Sequence, residues 1–550
     1  MRTLDDYRKI AEISKSHREL KKRLFVLNSL LKQNYIIYGL LVLAVLPLCI
    51  FRDFTIANEL RYLSIADEAL RTGSIFTFTN HGVDYADKPP LYFWIIMAGK
   101  LIFGKHSMLF LVIFSFVPAL VILHIMDSWV KDRLTQNERL LAQLMLMTGM
   151  MFLGPAVFLR MDMLMSMFIV LSLYSFFKMY SGSTKKRYAW LFPVNVFLAL
   201  FTKGPMGIIV PLVSTLVFLF IKHDLKSTGR YWGWKTLSII IVLCGLWFAG
   251  VYIEGGSKYL ENLLFHQTVG RAVNSFHHVE PFYYYFLSFL YSLAPWSLLI
   301  AGVIISGLIK KLTVTDIERF FLVIALSTFA VLSLFSSKLA IYLLPAIPFF
   351  VYLSVLWLAK SGNKLWICLL ASVPAFILLL IFPGIIVAAA FVLPEEIDIT
   401  VPVYLAGMIL SVSGYLAVRF LLKHNLNNGI MTMSIGILLF IFTASFSVPK
   451  YNCLIGLGDL CKKALERANS HSNPNFYYCK VFRGANMDVY LGEEVRKLEI
   501  KDLYNPNGKI ETPAILFLGN KAIERNDSLQ LYIKGKYVFK SGNNSFVEIE

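Results

Sequence analysis

The chain has 550 residues, 57% of them hydrophobic, with a mean hydropathy of +0.62 and a net charge of +18. That excludes an ordinary soluble enzyme, because apolar runs near twenty residues recur along most of the length and read as membrane-spanning helices. The excess of Lys and Arg then belongs to loops on one membrane face; no RNA-binding motif or zinc spacing supports nucleic acid as a partner.

Residues 1–34 carry nine Lys/Arg against four Asp/Glu. About thirty polar residues precede the first apolar run and no small-residue cleavage site follows it, which argues against a cleaved signal peptide. The segment reads as an amphipathic cytoplasmic helix on anionic lipid, or as a solvated helix without a partner. Apolar runs then predict spans near 35–51, 107–128, 138–154, 163–180, 188–202, 205–221, 235–253, 283–308, 319–335, 340–359, 364–392, 401–421 and 428–448, about thirteen in all. Leu91–Phe103 is apolar too, but its thirteen residues are too few for a ~30 Å hydrocarbon core, so it is expected to be interfacial or re-entrant.

Loop charge supports that choice. With the N-terminus inside, Lys131/Arg133, Lys185/Lys186/Arg187, Lys222/Lys226/Arg230/Lys235, Lys310/Lys311, Lys360/Lys364 and Arg419/Lys423 all fall on one side. The acidic loop Glu395/Glu396/Asp398 falls on the other. This is the positive-inside pattern, and it would invert if 91–103 crossed.

The expected organisation is an all-α polytopic membrane protein with a small α/β C-terminal soluble domain. Residues 1–34 form the cytoplasmic segment, 35–449 the membrane domain with a juxtamembrane loop at 52–106, and 450–550 the outer domain. In the last, Phe476–Phe482, Ala514–Leu518 and Tyr537–Lys540 are strand-like and Leu454–Ala468 is helical in pattern. Its expected role is a lid or stabilising cap. Cys49, Cys244 and Cys368 read as apolar core, and Cys453, Cys461 and Cys479 allow at most one disulfide among themselves.

The unusual polar residues lie on the outer face. Lys88, Lys203, Arg271 and Lys338 come from four different outer loops, and Glu59 and Asp162 share that face. Ionisable groups at the edge of hydrocarbon are costly and point to function. One lysine alone can snorkel to the headgroups. Several together beside apolar walls suit a phosphate that carries a long lipid tail. Tyr283–Tyr285 read as an interfacial aromatic belt rather than a sugar platform. His266 is either a ligand or a satisfied histidine, and His277-His278 lacks a third ligand. No cofactor is therefore required, with a divalent metal as the minor option.

Six short motifs follow one another on this face: Asn58-Glu59-x-Arg61-Tyr62, Tyr85-x-x-Lys88-Pro89-Pro90, Arg160-x-Asp162, Thr202-Lys203-Gly204-Pro205, His266 through Arg271, and Ser337-Lys338-Leu339-x-x-Tyr342-x-x-Pro345. In this order the chain resembles the membrane glycosyltransferases of the GT-C fold. Among them it is most similar to the aminoarabinose transferases that modify lipid A and to the protein O-mannosyltransferases. The resemblance implies a polyprenyl-phosphate sugar donor, a lipid or protein acceptor, and inversion at the anomeric carbon. It implies a bacterial inner-membrane protein with its C-terminal domain in the periplasm. Lys88 would bind the donor phosphate with Tyr85 nearby, and Arg61, Tyr62, Lys203, His266, Arg271, Lys338 and Tyr342 would complete the pocket.

Where that family carries an aspartate, this chain has Asn58. An amide cannot take a proton at neutral pH. Asn58 is expected to be the N-cap of a helix over 59–72, with Gly73 just past its end. The candidate catalytic acids are then Glu59 and Asp162. An acceptor that is already ionised, such as a lipid phosphate, needs no strong base, whereas a hydroxyl does. A protein or polysaccharide transferase of the same fold, a transporter of lipid-linked sugars and an inactive scaffold are the alternatives. Transport is disfavoured because the charges sit at one face and no internal repeat is visible.

Overall fold

A computed structural model describes residues 36–265, 279–362, 364–391, 399–468, 474–504 and 510–549. The amphipathic segment 1–34, His266, Arg271, His277, His278 and the acidic loop at 395–398 lie outside the described residues. Among the described residues seven helices are long and apolar enough to cross a membrane singly, including Met108–Val130, Met161–Tyr180 and Trp234–Phe265. Two bent pairs raise that number to nine. The other expected ranges fall on the shorter apolar helices Ile36–Phe51, Tyr188–Lys203, Met206–Ile221 and Ile347–Ser361. The chain is a multi-pass membrane protein.

Both bent pairs depart from the continuous spans expected at those places. Tyr284–Ser292 and Ser297–Ile309 meet at 119°. Pro295 lies in the break, where it has no N–H to give and its ring clashes with the preceding turn. Gln136–Met147 and Met150–Val157 meet at 66°. There Thr148 Oγ1 donates to Leu144 O at 2.6 Å, a back-bond that bends helices, and Gly149 starts the next one. Elsewhere the starts are set locally. Thr135 with Glu138 and Thr315 with Glu318 form complete capping boxes.

In lipid the helices gain little from burying apolar surface, so small residues decide how closely they pack. A β-carbon on Gly414 would lie 2.6 Å from Ala375 O, and one on Gly436 would lie 2.4 Å from Ser413 Cβ. Those glycines bring Val401–Leu422 against its neighbours on both sides.

The segment 52–106 has its own architecture. Helix Glu59–Thr72 ends at Gly73, whose φ of 74° is the left-handed turn expected there. A short hairpin follows, β1 (Thr79–Asn80) with β2 (Val83–Asp84). Leu91–Phe103 is a helix that buries Tyr92, Phe93 and Ile96 and leaves Leu101 and Ile102 exposed.

The C-terminal part holds a five-stranded sheet: β3 (Asn475–Cys479), β4 (Val495–Lys497), β5 (Ala514–Gly519), β6 (Val538–Ser541) and β7 (Asn544–Ile549), in the order β4-β3-β5-β7-β6. β3 runs parallel to β4 and β5, and β7 runs antiparallel to β5 and β6. Strands β4 and β7 were not expected from the sequence. The helical pattern at 454–468 resolves into Val448–Ile455 and Gly458–Ala468. All six cysteines are free thiols. This domain meets the segment 52–106 through polar contacts. Tyr490 OH donates to Asp53 Oδ1 at 2.5 Å, Ser64 Oγ donates to Asp488 Oδ2 at 3.0 Å, and His81 Nε2 lies 3.0 Å from Asn486 Oδ1.

Candidate active site

The centre of the site is set by a turn. Lys203 is the last residue of helix Tyr188–Lys203, and Gly204 follows with φ 104° and ψ −155°, a conformation open in practice only to glycine. Pro205, with φ −54°, is already shaped to begin the helix Met206–Ile221. A β-carbon on Gly207 would come within 2.2 Å of the Leu200 amide, so the two helices touch backbone to backbone beneath the turn. The Lys203 ammonium is thereby fixed. It pairs with Asp162 Oδ1 and lies 4.8 Å from the centroid of the Tyr342 ring.

Asp162 is only 2% exposed and occupies the first turn of helix Met161–Tyr180, where a carboxylate suits the positive end of the helix. Arg160 Nε stands 3.4 Å from its other oxygen, and the Lys88 charge also acts on it. One carboxylate is therefore paired with two cations, and the charge of a third acts on it. Cations gathered at a place of reduced dielectric attract an anion more strongly than they would in water. Arg160 was not expected from the sequence as a site residue, although it shares a motif with Asp162.

The backbone that leads into the segment Tyr85–Pro90 is tied down by side chains. The Tyr259 hydroxyl lies 3.0 Å from both the Phe78 amide and the Tyr85 carbonyl, bridging the strand entry to the start of the Tyr85–Pro90 segment. Glu254 accepts the amides of Ile75, Phe76 and Thr77 at 3.0, 3.0 and 2.9 Å. Trp94 Nε1 donates to Ile75 O at 2.6 Å. Tyr259 and Glu254 were not expected from the sequence. They end an apolar run whose hydropathy carries no sign of such a role.

Glu59 differs from its expected role as an acid. Both of its oxygens are already occupied. Arg52 Nη1 reaches Oε2 at 2.5 Å and Arg52 Nη2 reaches Oε1 at 2.8 Å. The amides of Thr55 and Leu159 each add a bond of 2.7 Å. The carboxylate ties the first outer loop to the turn before Arg160.

Asn58 is at the start of helix Glu59–Thr72, but its side chain does not cap it. Its φ and ψ of −128° and −47° are not the extended cap conformation, and the Leu60 amide is taken by Thr55 O at 3.1 Å. The side chain instead accepts from Arg61 Nη2 at 3.4 Å. The Arg61 guanidinium lies 5.6 Å from the Tyr62 ring centroid and 5.4 Å from that of Tyr85, within cation–π range of both. Both tyrosines pack edge-on against Phe93 at 6.0 Å. Burial, followed by the Asp162 charge, holds the Tyr62 phenol above its ordinary pKa, so it remains a hydrogen-bond donor.

Lys338 is buried, and its ammonium donates to Glu280 O at 2.8 Å. With the bridge between Val279 and Ser337, it clips residues 336–339 to the segment before Tyr283. The structure thus brings together Lys88, Arg160, Asp162, Lys203 and Tyr342, with Tyr62, Tyr85 and Arg61 alongside. Lys338 is used one segment away.

The profile of a family described as dolichyl-phosphate-mannose-protein mannosyltransferase matches residues 87–248. An uncharacterised protein of Aquifex aeolicus is 25% identical over 53% of this chain and 57% of its own. An undecaprenyl phosphate-alpha-4-amino-4-deoxy-L-arabinose arabinosyl transferase of Shewanella sediminis is 22% identical over 56% of each chain. The chain thus spans a little over half the length of the curated relatives it matches. Crystal structures of ArnT from Cupriavidus metallidurans, bound to undecaprenyl phosphate and in the apo state, superpose with TM-scores of 0.74 and 0.72 at 15% identity. Each covers 94% of this chain, and 97% and 98% of the solved chains are matched. The chain has their fold and resembles the GT-C glycosyltransferases.

Proposed function

We propose that this chain is a glycosyltransferase that moves a sugar from a polyprenyl-phosphate donor to an envelope glycolipid, in the manner of 4-amino-4-deoxy-L-arabinose transfer to lipid A. The observation that carries the proposal is the pairing of Lys203 and Arg160 with the buried carboxylate of Asp162, on which the Lys88 charge also acts. An acceptor oxygen bonds to the anomeric carbon as the bond from that carbon to the donor phosphate oxygen breaks. The electron pair leaves on the polyprenyl phosphate. Its negative charge is what the three cations stabilise, and such fixed charges act most strongly where water is excluded. Asp162 keeps Lys203 and Arg160 in place, while Tyr62, Tyr85 and Tyr342 form the walls. No cofactor is required by this account.

Two comparisons support the donor class. The solved structure of the same fold was obtained with undecaprenyl phosphate bound, and named relatives are arabinosyl transferases. The basic loops support an N-terminus in the cytoplasm and a C-terminal domain in the periplasm. The match to the mannosyltransferase profile favours one second reading, transfer to a protein hydroxyl. That acceptor has a proton to lose and needs a base, whereas an ionised phosphate does not. Mass spectrometry of lipid A, envelope glycans and glycoproteins from cells with and without the gene separates the two. The proposal expects a mass increment on lipid A only. An increment confined to glycoproteins would establish the second reading.

A further inference from the structure

The C-terminal domain reaches back to the start of helix Glu59–Thr72 through one side chain. Arg483 stands at a left-handed backbone position, φ 52° and ψ 37°, which residues with a β-carbon seldom adopt. Its Nη1 donates to Ala57 O. On the adjacent residue, Asn58 Oδ1 accepts from Arg61 Nη2 at 3.4 Å. Two guanidiniums, one from each part of the chain, are thus anchored on the adjacent residues 57 and 58. They share surroundings: Tyr62 and Tyr85 flank Arg61 and act electrostatically on Arg483. Burial and then the Arg61 charge lower the pKa of Arg483. Phe482, 64% exposed, lies against the Arg483 guanidinium at 5.3 Å.

Among the described residues no carboxylate forms an ion pair with either arginine. Glu59 is taken up by Arg52, Asp162 by Lys203 and Arg160, and Asp488 faces Ser64 and Arg71. The group between them, Asn58, is neutral. Like charges held together in this way repel unless an anion joins them, and paired guanidiniums match the oxygens of a phosphate. Tyr62 stands between this pair and the Asp162 cluster, with Arg61 near its ring and the Asp162 charge acting on its phenol.

We propose that Arg61 and Arg483 form a second anion site, distinct from the Lys88–Arg160–Lys203 cluster, which holds a phosphate group of the acceptor. The proposal rests on the glycosyl-transfer reading above, and it makes the C-terminal domain part of the substrate site. A carboxylate in place of Asn58 would compete for Arg61, which the amide oxygen already contacts.

The test uses the full chain in nanodiscs, with bisphosphorylated lipid A and undecaprenyl phosphate as separate binding probes. Arg483→Ala and Asn58→Asp are each expected to weaken lipid A binding about tenfold or more, the scale of a lost charge-assisted bond. Undecaprenyl phosphate affinity and melting temperature should stay close to wild type. Arg483→Lys should fall between. Asn58→Asp is nearly isosteric and keeps the bond to Arg61, so it tests the charge even if Arg483→Ala misfolds. Lipid A binding within twofold of wild type in both variants overturns the site. So does a parallel loss of undecaprenyl phosphate binding, or a wild type that does not bind lipid A. Binding that depends on Arg483, in a protein that transfers nothing, would support the site while removing the transferase reading.

Discussion

Arg52 and Glu59 form a closed, buried pair, with Nη1 to Oε2 at 2.5 Å and Nη2 to Oε1 at 2.8 Å. Removing one partner of such a pair strands the other charge, at a cost of about 3–5 kcal/mol. Glu59→Gln is therefore expected to lower the melting temperature and yield sharply, while turnover per folded molecule changes only a few-fold. Thermal melts and active-site titration on the same preparation check this. A normal melting temperature with lost turnover would return Glu59 to the chemistry.

Asp162 behaves differently, because its partners are the groups proposed above to hold the donor phosphate. Asp162→Asn keeps the shape but releases Lys203 and Arg160 from their common anchor. Turnover is expected to fall by about 10²-fold or more, the usual scale for losing an electrostatic stabiliser of the transition state. Steady-state kinetics with saturating donor read the change. Turnover within threefold of wild type would remove Asp162 from the account.

Gly204 offers a test that touches no charge. At φ 104° and ψ −155° an alanine is strained by about 1–3 kcal/mol. Gly204→Ala is expected to relieve that strain by turning the Lys203 end of the helix, so donor affinity drops with only a modest loss of stability. Undecaprenyl phosphate titration checks it. Gly182, a left-handed glycine in another loop, serves as the control for strain alone.

The first outer loop should also be acid-sensitive through Glu68. Burial alone would raise its pKa, but bonds from Thr79 Oγ1 at 2.5 Å, His81 N at 2.6 Å and Gly82 N at 2.9 Å outweigh burial and lower it. A depressed carboxylate contributes stability above the ordinary carboxylate range and loses it as pH falls through the folded value. The wild type should therefore lose more melting temperature than Glu68→Gln between neutral pH and the range just below ordinary carboxylate pKa values. Parallel melting curves across that window would contradict the assignment.

Much of this was legible from residue order. Thr202-Lys203-Gly204-Pro205 is a helix stop and start written in one turn, and its meeting with Arg160-x-Asp162 follows from both lying at span ends on one face. Pro295 marked its bend as well, had the apolar run not been read as continuous. Other features left no local trace. Arg52 looks like an ordinary flanking residue, and only the tertiary fold shows that it consumes Glu59. Strand β7 follows a two-residue turn, Gly542-Asn543, with Gly542 at φ 57°. That is a hairpin signal, but one masked by its polar setting. Arg483 could not be placed, because the contact with Ala57 joins residues more than four hundred apart in sequence.

The central claim is donor chemistry at the Lys88–Arg160–Lys203 cluster. Its most direct test is transfer by purified protein in proteoliposomes that contain undecaprenyl-phosphate-linked 4-amino-4-deoxy-L-arabinose and lipid A, with wild type and Lys88→Ala compared. The account predicts a mass increment on lipid A of one aminoarabinose residue with wild type and none with Lys88→Ala. Equal transfer by Lys88→Ala, or no transfer by folded wild type to any lipid or protein acceptor supplied, would contradict it.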